Sequence, residues 1–318
     1  MARYLITGGG GFIGSHLVYA LVERGERVRV VDDFSTGRRE NLVDIWDRIE
    51  LMEGDICEEE LAREACEGVE IIFHQAAIPS VPRSLERPME THRVNALGTL
   101  NLLEQARRLG VRRFIYASSS SVYGDDPVLP KVESLTPLPL SPYAVQKLTG
   151  EYYCRLYHRI YSLETVCLRY FNVFGPRQRP DSPYAAVIPR FIQRMMDREA
   201  PMIYGDGEQT RDFTYVENVV EANLKAAEAP SGAMGRVYNV ATGRRVSLNE
   251  LVSYLNRMMG TDIRPKYCPA RLGDVEHSLA DLSLIREWIG YQPKVFWKEG
   301  LQKTLDWMQK TVFEKDGR

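Results

Sequence analysis

Two side chains at helical spacing could transfer a proton. Tyr143 and Lys147 are four residues apart, so they share one face of a helix if this segment is helical. A phenol has a reference pKa of about 10 and is a poor base at neutral pH. A lysine ammonium one turn away favours the phenolate, so we expect it to lower the pKa of Tyr143. The tyrosine could then accept a proton from a substrate hydroxyl.

A run of serines precedes this pair. Ser118, Ser119, Ser120 and Ser121 directly follow an apolar run at residues 114–117, which we interpret as a strand. Open α/β sheets bind ligands at the carboxyl ends of their strands. A serine hydroxyl at that edge could hold or relay the same proton, and four serines there are difficult to explain by packing.

A glycine-rich turn indicates a nucleotide. Gly8, Gly11 and Gly14 lie between a predicted strand and a predicted helix, with the spacing of a dinucleotide-binding turn. Gly8 permits the tight turn, Gly11 lets the backbone approach a pyrophosphate, and Gly14 lets the helix pack closely on the strand. The free N–H groups at the start of the helix favour phosphates.

An acidic residue follows at the end of the next predicted strand. Asp32 lies 18 residues after Gly14, and its carboxylate could accept hydrogen bonds from both hydroxyls of an adenosine ribose. The same charge would repel a 2′-phosphate, which favours NAD over NADP. Arg38 and Arg39 weaken this preference slightly, because a flexible loop could bring them close. The positive nicotinamide of NAD would add to the expected effect of the lysine on the tyrosine.

The ends of the third and fourth predicted strands could also contact this cofactor. Asp55 and Ile56 follow the third strand, where they could meet the adenine edge. The fourth ends in the small residues that a backbone passing close to a cofactor requires, His-Gln-Ala-Ala at 74–77. Alone, each of these segments is more often an ordinary strand end.

Strands and helices alternate along the first half of the chain. Apolar runs predict strands at residues 4–7, 27–31, 49–52, 71–74, 114–117 and 165–169, and periodic patterns predict helices at 12–24, 58–65, 91–109 and 143–161. This alternation indicates βαβ units and a parallel sheet. After Gly175 the pattern of apolar and polar residues becomes irregular, with further helices predicted at 249–259 and 298–309. We therefore predict an α/β protein with a Rossmann-type, doubly wound parallel sheet (residues 1–174) and a smaller C-terminal α/β substrate domain (175–318).

The composition excludes several classes of function. The chain of 318 residues has 41 Lys and Arg against 43 Asp and Glu, a net charge of −2, so no global field attracts nucleic acid or an anionic membrane. No apolar stretch reaches the about 20 residues of a membrane span, and glycines interrupt the apolar N-terminus too early for a signal peptide. Five scattered cysteines and five histidines lack metal-ligand spacing. We expect a cytoplasmic protein with no metal site and with reduced, mostly buried thiols.

Taken together, the motifs resemble a known enzyme family. Nearly the whole chain is similar to the extended short-chain dehydrogenase/reductases, in their NAD-dependent epimerase/dehydratase branch. The resemblance rests on the glycine loop, on the Tyr143 and Lys147 pair, and on Ser-Ser-Ser-Val-Tyr-Gly at 119–124, Tyr-Phe-Asn-Val-Phe-Gly-Pro-Arg at 170–177 and Arg-Asp-Phe at 211–213. It implies NAD as cofactor, a nucleotide sugar as substrate, and the return of part of about 211–245 to the NAD domain.

Three features resemble the 4-epimerases of this branch. Dehydratases and UDP-glucuronate decarboxylases usually carry an acidic residue before Val-Tyr-Gly, where this chain has Ser121. Residues 175–189 resemble bacterial UDP-N-acetylglucosamine (UDP-glucose) 4-epimerases, and residues 271–278 resemble the UDP-binding stretch of 4-epimerases. Ser278 aligns with a gatekeeper position that tends to be tyrosine in enzymes restricted to UDP-glucose and UDP-galactose. The serine leaves room for a 2-acetamido group; an ordinary loop serine is the alternative.

The resemblance also implies the roles of individual residues. The expected catalytic residues are Ser119, Tyr143 and Lys147. The residues expected to contact NAD are Gly8, Gly11, Phe12, Ile13, Gly14, Asp32, Asp33, Ser35, Thr36, Gly37, Asp55, Ile56, Gln75, Ala76, Ala77, Asn95, Ser118, Tyr143, Lys147 and Tyr170. The residues expected to contact the UDP-sugar are Ser119, Ser120, Ser121, Asn172, Ala186, Val187, Ile188, Tyr204, Arg211, Arg271, Asp274 and Ser278.

Within the expected UDP site, the side chains have different tasks. Arg211 and Arg271 would clamp the pyrophosphate, because guanidinium groups pair phosphates bidentately. Asn172 would also bond the phosphates. Tyr204 would stack on uracil, and Asp274 would accept from the uridine ribose.

The function predicted is an NAD-dependent 4-epimerase that interconverts UDP-GlcNAc and UDP-GalNAc, and also UDP-glucose and UDP-galactose, through a transient 4-keto sugar. An epimerase restricted to the latter pair, or an epimerase or decarboxylase of UDP-glucuronate, remains an alternative. A non-catalytic dinucleotide sensor would usually lack the tyrosine or the lysine, and both are present. The resemblance implies a homodimer in which the helices predicted at 91–109 and 143–161 form a four-helix bundle.

Overall fold

The computed structural model describes residues 2–180, 186–270 and 276–316, the side chains of 312–316 excepted. Within these residues the strands are β1 (Tyr4–Thr7), β2 (Val28–Asp32), β3 (Ile49–Glu53), β4 (Ile71–His74), β5 (Arg113–Ser119), β6 (Glu164–Tyr170), β7 (Val173–Phe174), β8 (Met202–Tyr204), β9 (Thr210–Arg211), β10 (Thr214–Tyr215), β11 (Arg236–Val240), β12 (Val246–Ser247) and β13 (Lys266–Cys268). The helices are α1 (Phe12–Glu23), α2 (Glu59–Cys66), α3 (Val81–Glu86), α4 (Pro88–His92), α5 (Thr99–Arg108), α6 (Pro142–Tyr161), α7 (Val187–Met196), α8 (Val216–Glu228), α9 (Leu248–Met259), α10 (Ser283–Ile289) and α11 (Trp297–Asp316).

In the part of the chain that the structure describes, seven parallel strands form the main sheet, in the order β11-β6-β5-β4-β1-β2-β3. Leu5 and Ile6 are adjacent on β1, face opposite sides of the sheet and are both fully buried. Parallel strands that are covered on both faces need such unbroken apolar runs. α1 and α8 cover one face, and α2, α5 and α6 cover the other. The predicted doubly wound parallel sheet is confirmed.

The order of the strands reverses at β1. β2 and β3 continue the sheet on one side, and β4, β5 and β6 continue it on the other. A crevice opens at the carboxyl ends of the strands at such a switch point, and ligands bind there. Thr7, Asp32, His74 and Ser119 end their strands at this edge. The sheet therefore brings together the glycine loop, the acidic residue and the serine run.

A second hydrophobic core lies beyond the main sheet. α7, α9 and α11 bury side chains such as Phe191, Leu251 and Leu301 in one cluster, beside the small pairs β7 with β10, β9 with β12 and β8 with β13. By contrast, α8 packs on the main sheet, and β11 pairs with β6, with Val240 opposite Tyr170. The boundary at residue 174 between two domains stays a prediction.

The helix predicted at residues 91–109 is interrupted. α4 ends at His92, the turn Arg93–Gly98 is π-helical, and α5 begins at Thr99. The carbonyl of Asn95 accepts a hydrogen bond from Thr99 Oγ1 at 2.8 Å, and Asn95 itself is buried. Such turns are frequent at functional sites. One extra residue in a turn barely alters the apolar periodicity, which is why the sequence pattern does not reveal it.

Three structural findings bear on the expectations from composition. All five cysteines are free thiols, with Cys66, Cys154 and Cys167 buried and the other two partly buried. Among the described residues, no three His, Cys, Asp or Glu side chains are grouped as metal ligands. No helix in residues 2–180, 186–270 or 276–316 combines the length and the apolar character that crossing a bilayer requires.

Candidate active site

The glycine loop is packed so tightly that side chains are excluded. Gly8 adopts a φ of +69°, and a Cβ there would lie 2.7 Å from the backbone of Ala76 at the end of β4. A Cβ on Gly14 would lie 2.0 Å from the carbonyl oxygen of Gly8. In the described part of the chain, no side chain caps α1, which begins after Gly11. The N–H groups of its first turn are therefore available to an anion at the sheet edge.

Asp32 is held beside this loop by two backbone groups. Its Oδ2 accepts from Gly10 N and its Oδ1 accepts from Phe34 N, both at 2.8 Å. Burial raises the pKa of Asp32, and the two N–H donors oppose that rise. Each oxygen keeps a lone pair, so the carboxylate can still accept from ribose hydroxyls. Three of the predicted contacts in the following loop are exposed, namely Asp33, Ser35 and Thr36, whereas Gly37 packs against the Asp32 carboxylate.

The predicted adenine contacts include a partner that the sequence analysis missed. Asp55 forms an ion pair with Arg93, with Oδ2 and Nη1 2.6 Å apart. Ile56 is buried beside Gly98. Arg93 begins the π-helical turn and comes from a distant part of the sequence. The contact could not be read from local spacing, because it depends on how that turn packs against the end of β3.

Two predicted cofactor residues, Gln75 and Tyr170, are hydrogen-bonded to each other, and a third, Asn95, holds the backbone that follows β4. Gln75 Nε2 donates to Tyr170 Oη and to Asn223 Oδ1, both at 3.1 Å, and Asn223 Nδ2 donates to Tyr170 Oη at 2.8 Å. Asn95 bonds both backbone groups of Ile78, through Oδ1 at 2.7 Å and Nδ2 at 3.2 Å. Sequence reasoning missed Asn223, because it predicted no helix where α8 lies. These bonds fix the backbone around the carboxyl end of β4.

The predicted catalytic residues converge. The hydroxyl of Ser119, at the end of β5, lies close enough to the hydroxyl of Tyr143 on α6 to lower its pKa. Lys147, one turn further along α6, is buried and donates from Nζ to the carbonyl oxygen of Ala117 at 2.7 Å. Ser121 Oγ donates to Ser119 Oγ at 2.9 Å. The sheet and one helix thus bring two hydroxyls and an ammonium together.

The expected direction of the tyrosine pKa is wrong for the protein alone. Burial raises the pKa of Tyr143 to about 12, and the hydrogen bond from Ser119 opposes that rise. Burial also lowers the pKa of Lys147 to about 8. The lysine charge is directed at the carbonyl of Ala117, and the loss of water around the phenol dominates. The burial of the phenol decides whether its pKa rises or falls, and no sequence pattern reports that burial.

A cavity of about 270 Å³ lies beside the second core. Six predicted substrate residues line it: Asn172, Ala186, Val187, Ile188, Tyr204 and Arg211. Sequence reasoning assigned no substrate contact to the other eight residues of the wall, which include Phe174, Arg190, Phe191, Gln209 and Phe213. Asn172 follows Tyr170 by two residues, and Tyr170 pairs with Ser119 across β6 and β5. The cavity therefore begins two residues along the chain from Tyr170, the neighbour of Ser119 in the sheet.

The predicted gatekeeper lies beside this cavity wall. Ser278 is buried, and its Oγ accepts from Asn172 Nδ2 at 3.4 Å. Its N–H donates to the carbonyl of Thr210 at 3.0 Å, next to Arg211. Arg211 Nη1 donates to the carbonyls of Thr210 and Glu276 at 2.9 and 3.0 Å. Two further predicted contacts, Arg271 and Asp274, lie outside the described residues.

Known proteins share this sequence pattern and this fold. Residues 4–241 match the model of the NAD-dependent epimerase/dehydratase family. The chain belongs to this family. Its membership confirms the predicted resemblance, the enzymatic nature of the protein and NAD as the cofactor.

Three solved structures are similar to this epimerase/dehydratase family member. The UDP-glucose 4-epimerase of Thermotoga maritima with UDP-glucose is 40% identical, with a TM-score of 0.93 over 97% of this chain and 99% of that one. The UDP-N-acetylglucosamine 4-epimerase of Methanobrevibacter ruminantium with UDP-N-acetylmuramic acid is 39% identical, with a TM-score of 0.93 over 98% and 99%. The UDP-glucuronic acid 4-epimerase of Bacillus cereus with UDP-glucuronic acid and NAD is 32% identical, with a TM-score of 0.88 over 97% and 99%.

Proposed function

We propose that this chain is a UDP-sugar 4-epimerase that interconverts UDP-GlcNAc and UDP-GalNAc and also accepts UDP-glucose and UDP-galactose. The observation that carries the proposal is the convergence of Ser119, Tyr143 and Lys147 at the sheet edge, beside the strand that leads into the cavity. The positions before Val-Tyr-Gly hold Ser120 and Ser121 instead of a carboxylate. An elimination needs an acidic group there, so epimerisation is the simpler chemistry.

Proton transfer falls to Tyr143. The phenolate accepts the proton of the sugar's 4-hydroxyl, and Ser119 holds that hydroxyl or relays the proton. The Lys147 ammonium stabilises the phenolate, which burial alone disfavours. NAD, when bound, would supply a reversible hydride acceptor for C4, and return of the hydride to the opposite face of the 4-keto sugar would leave no net redox change. Tyr143 gives its proton back to the oxygen.

The glycine loop and the sheet edge hold the cofactor in this scheme. The first turn of α1 faces the phosphates, Asp32 binds the adenosine ribose, and Asp55 and Ile56 meet the adenine. Gln75 and the small residues after it form the floor of the crevice. The close approach of Gly8 to Ala76 supports this assignment, because it leaves the backbone bare where a pyrophosphate needs it.

The cavity beside the second core takes UDP. Tyr204 stacks on the uracil, Arg211 and Arg271 bind the pyrophosphate, and Asp274 accepts from the uridine ribose. Asn172 hydrogen-bonds the phosphates. Anchoring UDP in this way leaves the sugar free to turn over between the two hydride transfers, as a 4-epimerase requires.

The substrate is tested by proton NMR of the products. The purified protein, with no NAD added, is incubated with UDP-GlcNAc and in parallel with UDP-glucose. We expect both to be converted to their 4-epimers. Conversion of UDP-glucose alone would overturn the assignment of N-acetylated substrates and keep the mechanism. If neither is converted even with NAD added, the proposed substrates are wrong, and turnover of UDP-glucuronate would identify the alternative.

Substitution of Ser278 tests what sets the width of the sugar site. Ser278→Tyr places a large ring against Asn172, so we expect UDP-GlcNAc turnover to fall by about tenfold or more while UDP-glucose turnover changes by about threefold or less. Ser278→Ala is the matched control and is expected to keep both activities. An equal loss of turnover for both substrates in the tyrosine variant, with an intact circular dichroism spectrum, would refute the gatekeeper role.

We also propose that the protein is a homodimer. Helix α6 packs beside α3, α4 and the π-helical turn, and these elements share an apolar surface open to solvent, formed by Leu85, Met89, Leu97, Val145, Tyr152, Leu156 and Ile160. Met89 is 80% and Ile160 is 58% exposed. Exposed apolar patches mark association sites. Leu85 and Met89 lie before the helices predicted to form the four-helix bundle, and the other five residues lie on them.

Sedimentation equilibrium at micromolar concentration checks this association. We expect the mass of a dimer for the unmodified protein and of a monomer for Leu156→Glu, because a buried carboxylate in the bundle has no partner. Val43→Glu is the control, since Val43 is also apolar and exposed but lies on another surface. A monomeric unmodified protein would contradict the proposal.

A further inference from the structure

A buried ion pair lies directly behind the catalytic residues. Glu151 follows Lys147 by one turn of α6, and Arg169 lies near the end of β6. Arg169 Nε donates to Glu151 Oε1 at 2.8 Å, and Nη2 donates to Oε2 at 2.7 Å. Both side chains are about as buried as core leucines, at 2% and 3% exposure. The carboxylate also accepts from Ser118 Oγ at 2.5 Å.

This carboxylate joins three elements at the residue before Ser119. It connects α6 to β5 through Ser118 and to β6 through Arg169. Lys147 connects the same helix to Ala117, the preceding residue of β5. Two consecutive residues of β5 are therefore tied to the helix that carries Tyr143. These ties set the separation between the hydroxyls of Ser119 and Tyr143.

Arg169 also contacts the far end of the serine segment, which is Ser-Ser-Ser-Val-Tyr-Gly at 119–124. Its guanidinium lies over the ring of Tyr123, with Cζ 4.6 Å from the centroid. Tyr123 Oη donates to Asn239 Oδ1 at 2.7 Å, and Asn239 Nδ2 donates to the carbonyl of Asp281 at 3.2 Å. The serine segment is thereby attached to the chain just after Ser278.

We propose that Glu151 is a positioning residue for proton transfer, which acts through Ser118 on Ser119 and through its charge on Lys147. The inference rests on the proposed function of the same site. A buried ion pair rarely stabilises a fold more than apolar side chains of equal volume. The Glu151–Arg169 pair is therefore better explained by the geometry that it imposes on Ser118 and Ser119 than by a contribution to the stability of the fold.

The charges around Lys147 support the electrostatic part. The titratable groups that face it are His74 on β4, Tyr116 on β5, and Tyr143, Glu151 and Cys154 on α6. Burial lowers the pKa of His74 to about 3 and raises the pKa of Tyr116, so both are neutral at pH 7. Burial lowers the pKa of Lys147, and Cys154 and then Glu151 oppose that fall. The Glu151 carboxylate therefore helps to keep the lysine protonated.

The test compares two ion pairs formed by residues of β6, one at each end of the strand. Glu151→Gln removes the charge behind the catalytic residues, and Glu164→Gln removes the charge of the Arg113–Glu164 pair at the opposite ends of β5 and β6. For Glu151→Gln we expect kcat to fall by about tenfold to a hundredfold with KM within about threefold. We also expect the alkaline fall of kcat to begin about one pH unit lower, because Lys147 loses its proton earlier. Glu164→Gln should keep kcat within about twofold and leave the pH profile in place.

Each outcome decides the proposal. An unchanged kcat and pH profile in Glu151→Gln overturns it, as does an equal loss in Glu164→Gln, which would indicate a general effect of unpaired charge. Should Glu151→Gln fail to fold, the double variant Glu151→Met, Arg169→Met replaces both charges by apolar groups, and the same fall in kcat and the same shift are expected. If the unmodified enzyme converts no UDP-sugar, the proposed function fails, and this inference fails with it.

Discussion

Replacing Tyr143 by phenylalanine is expected to lower kcat by about a thousandfold or more while leaving bound NAD and the fold in place. The substitution removes one hydroxyl, and with it the group that takes and returns the proton at O4. The ring stays on α6, where the rest of the tyrosine side chain packs. The variant also lacks the interaction between the phenol and Ser119. The serine hydroxyl alone cannot replace a phenolate as base.

Two measurements check this result. Turnover is followed by NMR of the sugar nucleotide, and cofactor content is determined from the NAD that is released on denaturing the purified protein. Tyr161→Phe is the control, since Tyr161 ends the same helix and is half-exposed. Full activity in Tyr143→Phe would refute the assignment of the base. Loss of NAD together with activity would instead place the tyrosine in cofactor binding.

Replacing Lys147 by methionine is expected to lower kcat at pH 7 by about a hundredfold and to change the shape of the pH profile. Burial raises the pKa of Tyr143 to about 12 in the protein alone. That value holds with Lys147 in place, and removing the ammonium takes away the charge that favours the phenolate. The phenolate fraction of the variant at pH 7 is therefore very small and rises about tenfold for each pH unit below the tyrosine pKa. The variant should gain activity steadily from pH 7 to pH 10.

The unmodified enzyme should show the opposite trend at alkaline pH. Burial lowers the pKa of Lys147 to about 8, so the ammonium is present below that pH and is lost above it. We therefore expect kcat to fall as the pH rises through about 8, and this fall should be absent from Lys147→Met. In the double variant Tyr143→Phe, Lys147→Met, the rise with pH should vanish as well. A pH-independent Lys147→Met would contradict the role of the lysine in phenolate formation.

Much of this site follows from local spacing in the sequence. Three glycines set a turn that only glycine can adopt, and the tyrosine and lysine share a helix face because a helix repeats every 3.6 residues. In a parallel sheet the carboxyl ends of neighbouring strands lie at one edge. For these reasons the sequence predicts that the glycine loop, Asp32 and the serines meet. The family and the cofactor follow from the same motifs and are confirmed.

Other features depend on which distant segments pack together. Arg93, Asn223, Arg169 and the large side chains of the cavity wall carry no local signal, because each acquires its partner only through the tertiary fold. Packing of α8 and β11 on the main sheet is expected only from the family resemblance, because short apolar runs among polar residues could take several positions in the fold. The preferred UDP-sugar, the dimer and the cytoplasmic location stay predictions.

The sequence by itself therefore determined the chemistry that is available: a dinucleotide turn, a Tyr and Lys pair on one helix and hydroxyls at a strand end. The tertiary structure decided how that chemistry is tuned. It buried Tyr143 and Lys147, which reversed the expected direction of the tyrosine pKa, and it placed Glu151 and Arg169 behind them. Spacing along the chain is a local property, whereas desolvation and charge pairing depend on every group that surrounds a side chain, and only the folded molecule assembles those groups.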